Sequence, residues 1–195
     1  MILDYLQATC WSITYVLLII YAKANKTYGI PLLPLLLNYS WEIDAIVLTL
    51  TTNRTLVPLL MHGAWFLLDT VIVILYFHYS PSRKSNIIFF IKFAFVLCFM
   101  TILFKMGRAL VTSYVIDFIM SFAFLQFVLF HRVKKSWVSY SIAFFKLAGD
   151  LFAWLNMYGL HWATFVVLGC NFTYILILFF KKGDDAPFCV WKILK

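Results

Sequence analysis

Five carboxylates stand inside long apolar stretches of the chain, where charged side chains are rare: Glu42, Asp44, Asp69, Asp117 and Asp150. An aspartate at the centre of a membrane helix costs about 2.5–3.5 kcal/mol on insertion scales, so five acids would cost about 12–18 kcal/mol without compensation. That cost is as large as the whole free energy of unfolding of an ordinary protein, about 5–15 kcal/mol. These side chains must therefore face each other, water or a substrate.

An acid in such surroundings can act on an apolar molecule. Desolvation favours the neutral form of a carboxyl group, so an acid in a dry cavity keeps its proton and can serve as a general acid. The chain also contains 21 Phe, 11 Tyr and 7 Trp, and aromatic faces stabilise cations in apolar surroundings. The combination suits protonation of an alkene or epoxide followed by carbocation ring closure, although phenylalanine is also common on lipid-facing surfaces.

The composition indicates that membrane helices must position these acids. Of 195 residues, 64% are hydrophobic and 12% are charged, whereas about a quarter are charged in a soluble domain. A transmembrane helix needs about 20 mostly apolar residues. Seven stretches qualify: 5–22, 29–50, 57–79, 87–105, 109–131, 137–158 and 160–180. We predict an all-α fold, a bundle of seven transmembrane helices that forms a single domain over residues 1–195.

The basic residues predict the direction of these spans. Eleven fall in the first, third and fifth loops and the C-terminal segment: Lys23, Lys26, Arg83, Lys84, Arg132, Lys134, Lys135, Lys181, Lys182, Lys192 and Lys195. Three fall on the opposite side: Arg54, Lys105 and Arg108. The positive-inside rule then places the N-terminus outside and the C-terminus inside. The net charge of +8 thus indicates contact with lipid headgroups and not with nucleic acid.

This topology places several polar residues at one depth. Counted from the start of its span, Glu42 is about thirteen residues in, Asp69 about twelve, Asp117 about nine and Asp150 about thirteen. Asn171 is about eleven residues into the seventh span. We expect these five helices to direct polar groups to one level near the midplane, where they would line a cavity.

Helical spacing assigns some of these residues to shared faces. Asn38 and Glu42 are four residues apart and share a face, as do Trp65 and Asp69. His62 lies about one turn further along the second stripe, where we expect an interfacial histidine in preference to a ligand.

Other acids have simpler interpretations. Asp44 lies about 200° around the helix from Glu42, so we expect it to cap a helix end or to pair with Arg54 or Arg108. Lys146 and Asp150 are four residues apart and should form an internal ion pair.

Asp117 shares a stripe with Ser113 and Ser121, so it is either functional or a structural partner of these hydroxyls. The four cysteines show no paired spacing, and no Gly-rich phosphate loop or Cys/His metal pattern is present. We therefore predict no metal site and no other cofactor.

Four local patterns resemble those of one enzyme family. They are "NYSWE" (Asn38–Glu42), which is similar to an Asn-x-x-Trp-Glu element in the second helix, "WFLLD" (Trp65–Asp69), "FIMSFAF" (Phe118–Phe124) and "GCNFTYI" (Gly169–Ile175). With its size and span number, the chain resembles the small seven-span membrane terpene cyclases of fungal meroterpenoid and indole-diterpene pathways, which also have bacterial relatives.

The resemblance implies cyclisation of a prenyl chain, often after epoxidation, without a metal. It implies a glutamate in the second helix and an aspartate in the last as proton donors, and Glu42 matches the glutamate. Asn171 stands where the family has the aspartate, and an asparagine can donate a hydrogen bond but supplies no proton. Either Asp69, Asp117 or Asp150 takes that role, or the substrate is not an epoxide, or the activity differs.

We therefore predict a membrane terpene cyclase acting on a lipophilic isoprenoid or prenylated substrate. Glu42 is the predicted proton donor, and Asp69 the second acid, which orients Glu42 or relays its proton. The predicted pocket residues are Asn38, Trp41, Trp65, Asn171 and Tyr174.

The membrane would be the plasma membrane in a bacterium or the endoplasmic reticulum in a fungus, and the sequence gives no oligomeric state. A proton-coupled small-molecule transporter is the alternative, because midplane acids also serve carriers. A subunit whose acids pair with a partner's cations is a third hypothesis.

Overall fold

The computed structural model describes residues 2–52, 56–79, 83–130, 136–158 and 162–180. Within these ranges the chain forms seven α-helices and no strand. They are α1 (Ile2–Asn25), α2 (Leu32–Thr51), α3 (Leu56–Tyr79), α4 (Arg83–Lys105), α5 (Ala109–Phe130), α6 (Trp137–Ala153) and α7 (Trp162–Phe180). The predicted all-helical fold is confirmed, and each predicted span corresponds to one helix.

Six of these helices, α1 to α6, are long and apolar enough to cross a membrane, and Thr164–Phe180 of α7 is a shorter apolar segment. Large apolar side chains point outward, among them Phe95 at 74% and Ile91 at 65% exposure on α4. Such a surface suits lipid and not water. The direction in which the chain crosses the membrane stays a prediction.

The described helices fall into two compact units. Ile19–Ile116 form one, here called the middle unit, and Met1–Leu18 together with Asp117–Lys195 form the other, here called the terminal unit. In the middle unit α2 packs against both α3 and α4, and in the terminal unit α6 packs against α7.

Aromatic contacts fix the packing of α2 in the middle unit. The helix follows Pro31 (φ −57°), whose fixed φ is compatible with the start of a helix. The Tyr39 ring stacks on Phe66 of α3 with centroids 5.0 Å apart, and Trp41 meets Phe104 of α4 edge-on at 4.8 Å. One face of α2 therefore packs against α3 and another packs against α4.

Within the terminal unit, α6 makes close contacts with both α7 and α1. The Tyr140 hydroxyl donates to the carbonyl of Leu178 on α7 across 3.1 Å. At Gly149 a Cβ atom would lie 2.9 Å from Cδ1 of Trp11 on α1. Only a glycine therefore lets this indole ring lie directly against the backbone of α6.

The sequence predicts a continuous helix over 137–158, but its last five residues, Trp154–Tyr158, form a π-helical turn. Such turns are wider than those of an α-helix and are frequent at functional sites. Trp154 is fully buried, and the Asn156 amide donates to the carboxylate of Asp4 on α1. The π-helical turn therefore accompanies a second contact between α1 and the end of this helix.

Candidate functional site

The carboxyl group of Glu42 meets a histidine in the middle unit. Glu42 lies midway along α2 and is 2% exposed. Its Oε2 is 2.7 Å from Nδ1 of His62 on α3, whose side chain is 21% exposed. The interfacial role predicted for His62 stays a prediction, and the structure adds its hydrogen-bond partner, since α3 packs with this residue against the acidic face of α2.

A second polar pair crosses the same two helices. Asn38 Nδ2 donates to Oδ2 of Asp69 across 2.6 Å, and both residues are buried. The earlier residue of α2 meets the later residue of α3, as expected for antiparallel neighbours. The stripe of Asn38 and Glu42 thus faces the stripe of His62 and Asp69, and each carboxylate has its own partner across the helix pair.

Two tryptophans of the predicted pocket lie in the middle unit. Trp65 is buried and its ring meets His62 edge-on, with centroids 5.7 Å apart. Trp41 is half-buried and packs against Phe104 of α4. The ring of Trp65 therefore contacts His62, the partner of Glu42, whereas the ring of Trp41 is turned towards α4.

Asp44 points away from Glu42, as its angular position on α2 predicts. Its Oδ1 accepts from Oγ1 of Thr101 on α4 across 2.8 Å, and its buried Oδ2 has no hydrogen-bond partner in the described part of the chain. Of the pairings left open by the sequence, that with Arg108 is not among its contacts there, and Arg54 lies outside the described residues. The two carboxylates of α2 thus serve different helices.

A buried lysine organises the terminal unit. Lys146 is 1% exposed and its Nζ donates to three acceptors, Oδ2 of Asp150 at 2.7 Å, Oγ of Ser121 at 2.9 Å and Oδ1 of Asn171 at 3.0 Å. These contacts use all three N–H donors of the ammonium group. The internal ion pair predicted for Lys146 and Asp150 is confirmed.

Asn171 bridges this ion pair. While its Oδ1 accepts from Lys146, its Nδ2 donates to Oδ2 of Asp150 across 2.5 Å. The other carboxylate oxygen, Oδ1 of Asp150, is buried and has no hydrogen-bond partner within the described ranges. The residue that departs from the predicted acidic position is therefore both donor and acceptor in a charged network.

Further residues surround the same lysine. Nζ of Lys146 lies 5.4 Å from the ring centroid of Trp11 and 5.8 Å from that of Phe124, within the range of cation–π attraction. Tyr174 is buried with its ring 6.0 Å from Phe124. Asp117 is half-buried and lies close enough to Lys146 to interact with it electrostatically.

A comparison with known families bears on both groups of residues. The model of the Pyr4-like transmembrane terpene cyclases matches residues 1–153. The chain belongs to this family. Within the match lie Glu42, His62, Asp69 and the Lys146–Asp150 pair, whereas Asn171 and Tyr174 follow it.

One curated relative of this chain is Terpene cyclase andB of Emericella variicolor. The two are 28% identical over 76 residues, which is 39% of this chain. The chain covers 31% of the length of that relative. No solved structure matches the chain.

The structure groups the predicted site residues of this cyclase family member within its two units. Glu42, Asn38, Asp69 and the two tryptophans are in the middle unit; Asp117, Asp150, Asn171 and Tyr174 are in the terminal unit. The common depth predicted for the acids stays a prediction. Within the described ranges no three His, Cys, Asp or Glu side chains form a group that could hold a metal ion. Cys10, Cys98 and Cys170 are free thiols, and Cys189 lies outside those ranges.

The contact between His62 and Glu42 was not predicted from the sequence. His62, Trp65 and Asp69 form one stripe of α3, and Asn38 and Glu42 form one stripe of α2. The helices α2 and α3 are antiparallel. When Asn38 is paired with Asp69, Glu42 on the next turn of α2 therefore lies opposite His62 on α3. The signal was present in the spacing, but the pairing of α2 with α3 was needed to use it.

Proposed function

We propose that this protein is a metal-independent membrane terpene cyclase in which Glu42 protonates an alkene or epoxide of an isoprenoid chain. One observation carries the proposal: a buried glutamate midway along a helix, held by His62, in a chain that belongs to the transmembrane terpene cyclase family. A buried carboxyl group is suited to general-acid catalysis on an apolar substrate, which brings no charge of its own.

The reaction balances without an oxidant or reductant. The O–H bond of Glu42 breaks. Its proton forms a C–H bond with an alkene, whose π bond is broken, or an O–H bond with an epoxide oxygen, whose C–O bond then breaks. The resulting carbocation is attacked by the π electrons of the next double bond, which closes a ring. The final carbocation loses a proton, so the reaction as a whole consumes none, and a proton returned to Glu42 completes the cycle.

Neighbouring groups of the middle unit support this step. The ring of Trp65 lies beside the Glu42–His62 contact, where an aromatic face can stabilise a carbocation. Asp69 orients the amide of Asn38 through its 2.6 Å hydrogen bond, and it acts as the second acid of this group. Its influence on Glu42 therefore runs through Asn38, one turn away on α2.

The acids of the terminal unit divide their roles in this proposal. Oδ2 of Asp150 accepts hydrogen bonds from Lys146 and Asn171, so Asp150 serves the charged network and supplies no proton. Asp117 has no such direct ion pair among the contacts described for it, which makes it the acid of this unit available for proton transfer. Asn171 contributes by holding the Lys146–Asp150 pair, and Tyr174 by packing its ring near Phe124.

Glu42→Gln tests the proposal, because the amide keeps the shape of the side chain and removes its proton. Membranes with the wild-type chain or the variant are given prenylated compounds of different chain lengths, with and without a terminal epoxide, and lipid extracts are analysed by mass spectrometry. We expect product formation to fall by about 10²–10⁴-fold, the usual contribution of a general acid. Asp44→Asn, on the other face of α2, is the matched control and should retain turnover.

Equal amounts of inserted protein must accompany the loss of product, which fluorescence-detected size exclusion measures. Full turnover by Glu42→Gln would overturn the assignment of the proton donor. Substrate uptake into proteoliposomes driven by a pH gradient, without any cyclised product, would instead favour the transporter.

A further inference from the structure

The contact between His62 and Glu42 has the geometry of a strong hydrogen bond. Its length of 2.7 Å from Nδ1 to Oε2 lies at the short end of the range for N–H···O hydrogen bonds. It joins a side chain that is 3% exposed to one that is 21% exposed. The ring of Trp65 meets the imidazole at an interplanar angle of 80°, which restricts the rotation of that ring. One nitrogen is therefore held towards the carboxyl group.

We propose that His62 is the positioning residue of this acid: its Nδ1–H donates to Oε2 of Glu42, which leaves Oε1 to carry the proton that is transferred. This inference rests on the function proposed above for Glu42. It assigns the two carboxyl oxygens different tasks, one bound to the protein and one presented to the substrate. The assignment also selects the neutral Nδ1–H tautomer of the imidazole.

The same hydrogen bond would favour the transfer itself. Before transfer Oε2 is the carbonyl oxygen of a neutral acid; afterwards it shares the negative charge of the carboxylate. A donor aimed at this oxygen binds the carboxylate more strongly than the acid, since charge-assisted hydrogen bonds are about twice as strong as neutral ones. His62 would thus stabilise the charge that develops on Glu42 in the transition state, which lowers the barrier instead of tightening substrate binding.

Two substitutions separate the donor from the ring. His62→Asn keeps an N–H close to the position of Nδ1 but removes the ring, whereas His62→Phe keeps a ring against Trp65 but removes the N–H. We expect His62→Phe to lower kcat by about 10- to 100-fold, the value of a hydrogen bond to a charged group, with little change in KM. His62→Asn should recover most of that loss.

The reverse pattern, an active phenylalanine variant and an inactive asparagine variant, would show that only ring packing matters and would overturn the proposal. Equal loss in both variants would also overturn it, because an N–H donor at this position would then not be sufficient for activity. His78→Phe is the matched control: it removes an exposed histidine from the same helix, beside Tyr79, and should leave kcat unchanged.

A second measurement does not depend on cyclase activity. Melting temperatures of the purified protein are compared for Glu42→Leu, His62→Phe and the double variant, because leucine removes the hydrogen-bond acceptor that glutamine would keep. Residues in contact give non-additive losses, whereas independent sites add. Non-additive losses support the contact even if no product is ever found, which would count only against the proposed function. Additive losses would remove the basis of the positioning role.

Discussion

The side-chain amide of Asn171 donates from Nδ2 to Oδ2 of Asp150 across 2.5 Å, from α7 to α6. Its carbonyl oxygen accepts at the same time from Lys146. An ionised aspartate at this position could accept from the lysine but could not donate to Asp150. The departure from the acidic residue that the family resemblance implies therefore coincides with an ion pair that needs a donor and an acceptor together.

Asn171→Asp should destabilise the protein by about 1–3 kcal/mol, the cost of leaving a buried polar group without its partner. Thermal unfolding of the purified protein measures the effect. The exchange variant Asp150→Asn/Asn171→Asp restores one acid and one amide around Lys146 and should regain most of the stability. An unchanged melting temperature in Asn171→Asp would contradict the bridging role of the amide.

Lys146→Met should lower the free energy of unfolding more than the removal of both Lys146 and its partner acid Asp150. Breaking a buried ion pair from one side costs about 3–5 kcal/mol, because an uncompensated charge stays behind. The double variant Lys146→Met/Asp150→Leu removes both charges and should unfold at a higher temperature than Lys146→Met alone. If the two substitutions are simply additive in thermal unfolding, the ion pair does not couple these residues.

Gly149→Ala should lower the melting temperature, although alanine normally stabilises a helix by about 0.5–1 kcal/mol relative to glycine. The new Cβ would lie 2.9 Å from Cδ1 of Trp11, so the indole ring must move away from α6 and from Lys146. Gly169→Ala on α7 is the control, because nothing lies within 4 Å of its Cβ position. Trp11→Leu in the Gly149→Ala background should relieve part of the loss, and a stabilised Gly149→Ala would refute the contact.

Thr101→Val should destabilise the middle unit by about 1–3 kcal/mol, since it removes the hydroxyl donor from a buried carboxylate. Oδ2 of Asp44 has no hydrogen-bond partner in the described part of the chain, so Oδ1 would lose the bond that Thr101 now supplies. Thermal unfolding with Thr51→Val as the control tests this, because the Thr51 hydroxyl is exposed and, among the described residues, bonds only to carbonyls of its own helix. Equal melting temperatures for the two variants would show that Asp44 does not depend on Thr101.

The helices could be predicted because their signal is local. Apolar runs of about 20 residues identified seven spans, and the described chain has a helix at each of them. Local spacing also gave the Lys146–Asp150 ion pair, because residues four apart face each other on one helix. It also separated the directions of Glu42 and Asp44. The π-helical turn at Trp154–Tyr158 carried no such signal, since it depends on how side chains pack around it.

Partners on other helices could not be predicted in the same way. Nothing in the local sequence distinguishes Thr101 from the other threonines, yet the packing of α4 makes it the donor to Asp44. His62 looked interfacial by its distance from the end of the span. Its contact with Glu42 is seen only when α3 is paired with α2 in a definite register.

By itself, the sequence determined that this is a helical membrane protein with acids inside its spans, because hydropathy and helical period are properties of neighbouring residues. It also pointed to Glu42, through a short pattern that resembles a family to which the chain belongs. The tertiary structure decided which partner each acid has: His62 for Glu42, Asn38 for Asp69, Thr101 for Asp44, and Lys146 with Asn171 for Asp150. Those pairings depend on the register and rotation of packed helices, which no single helix encodes.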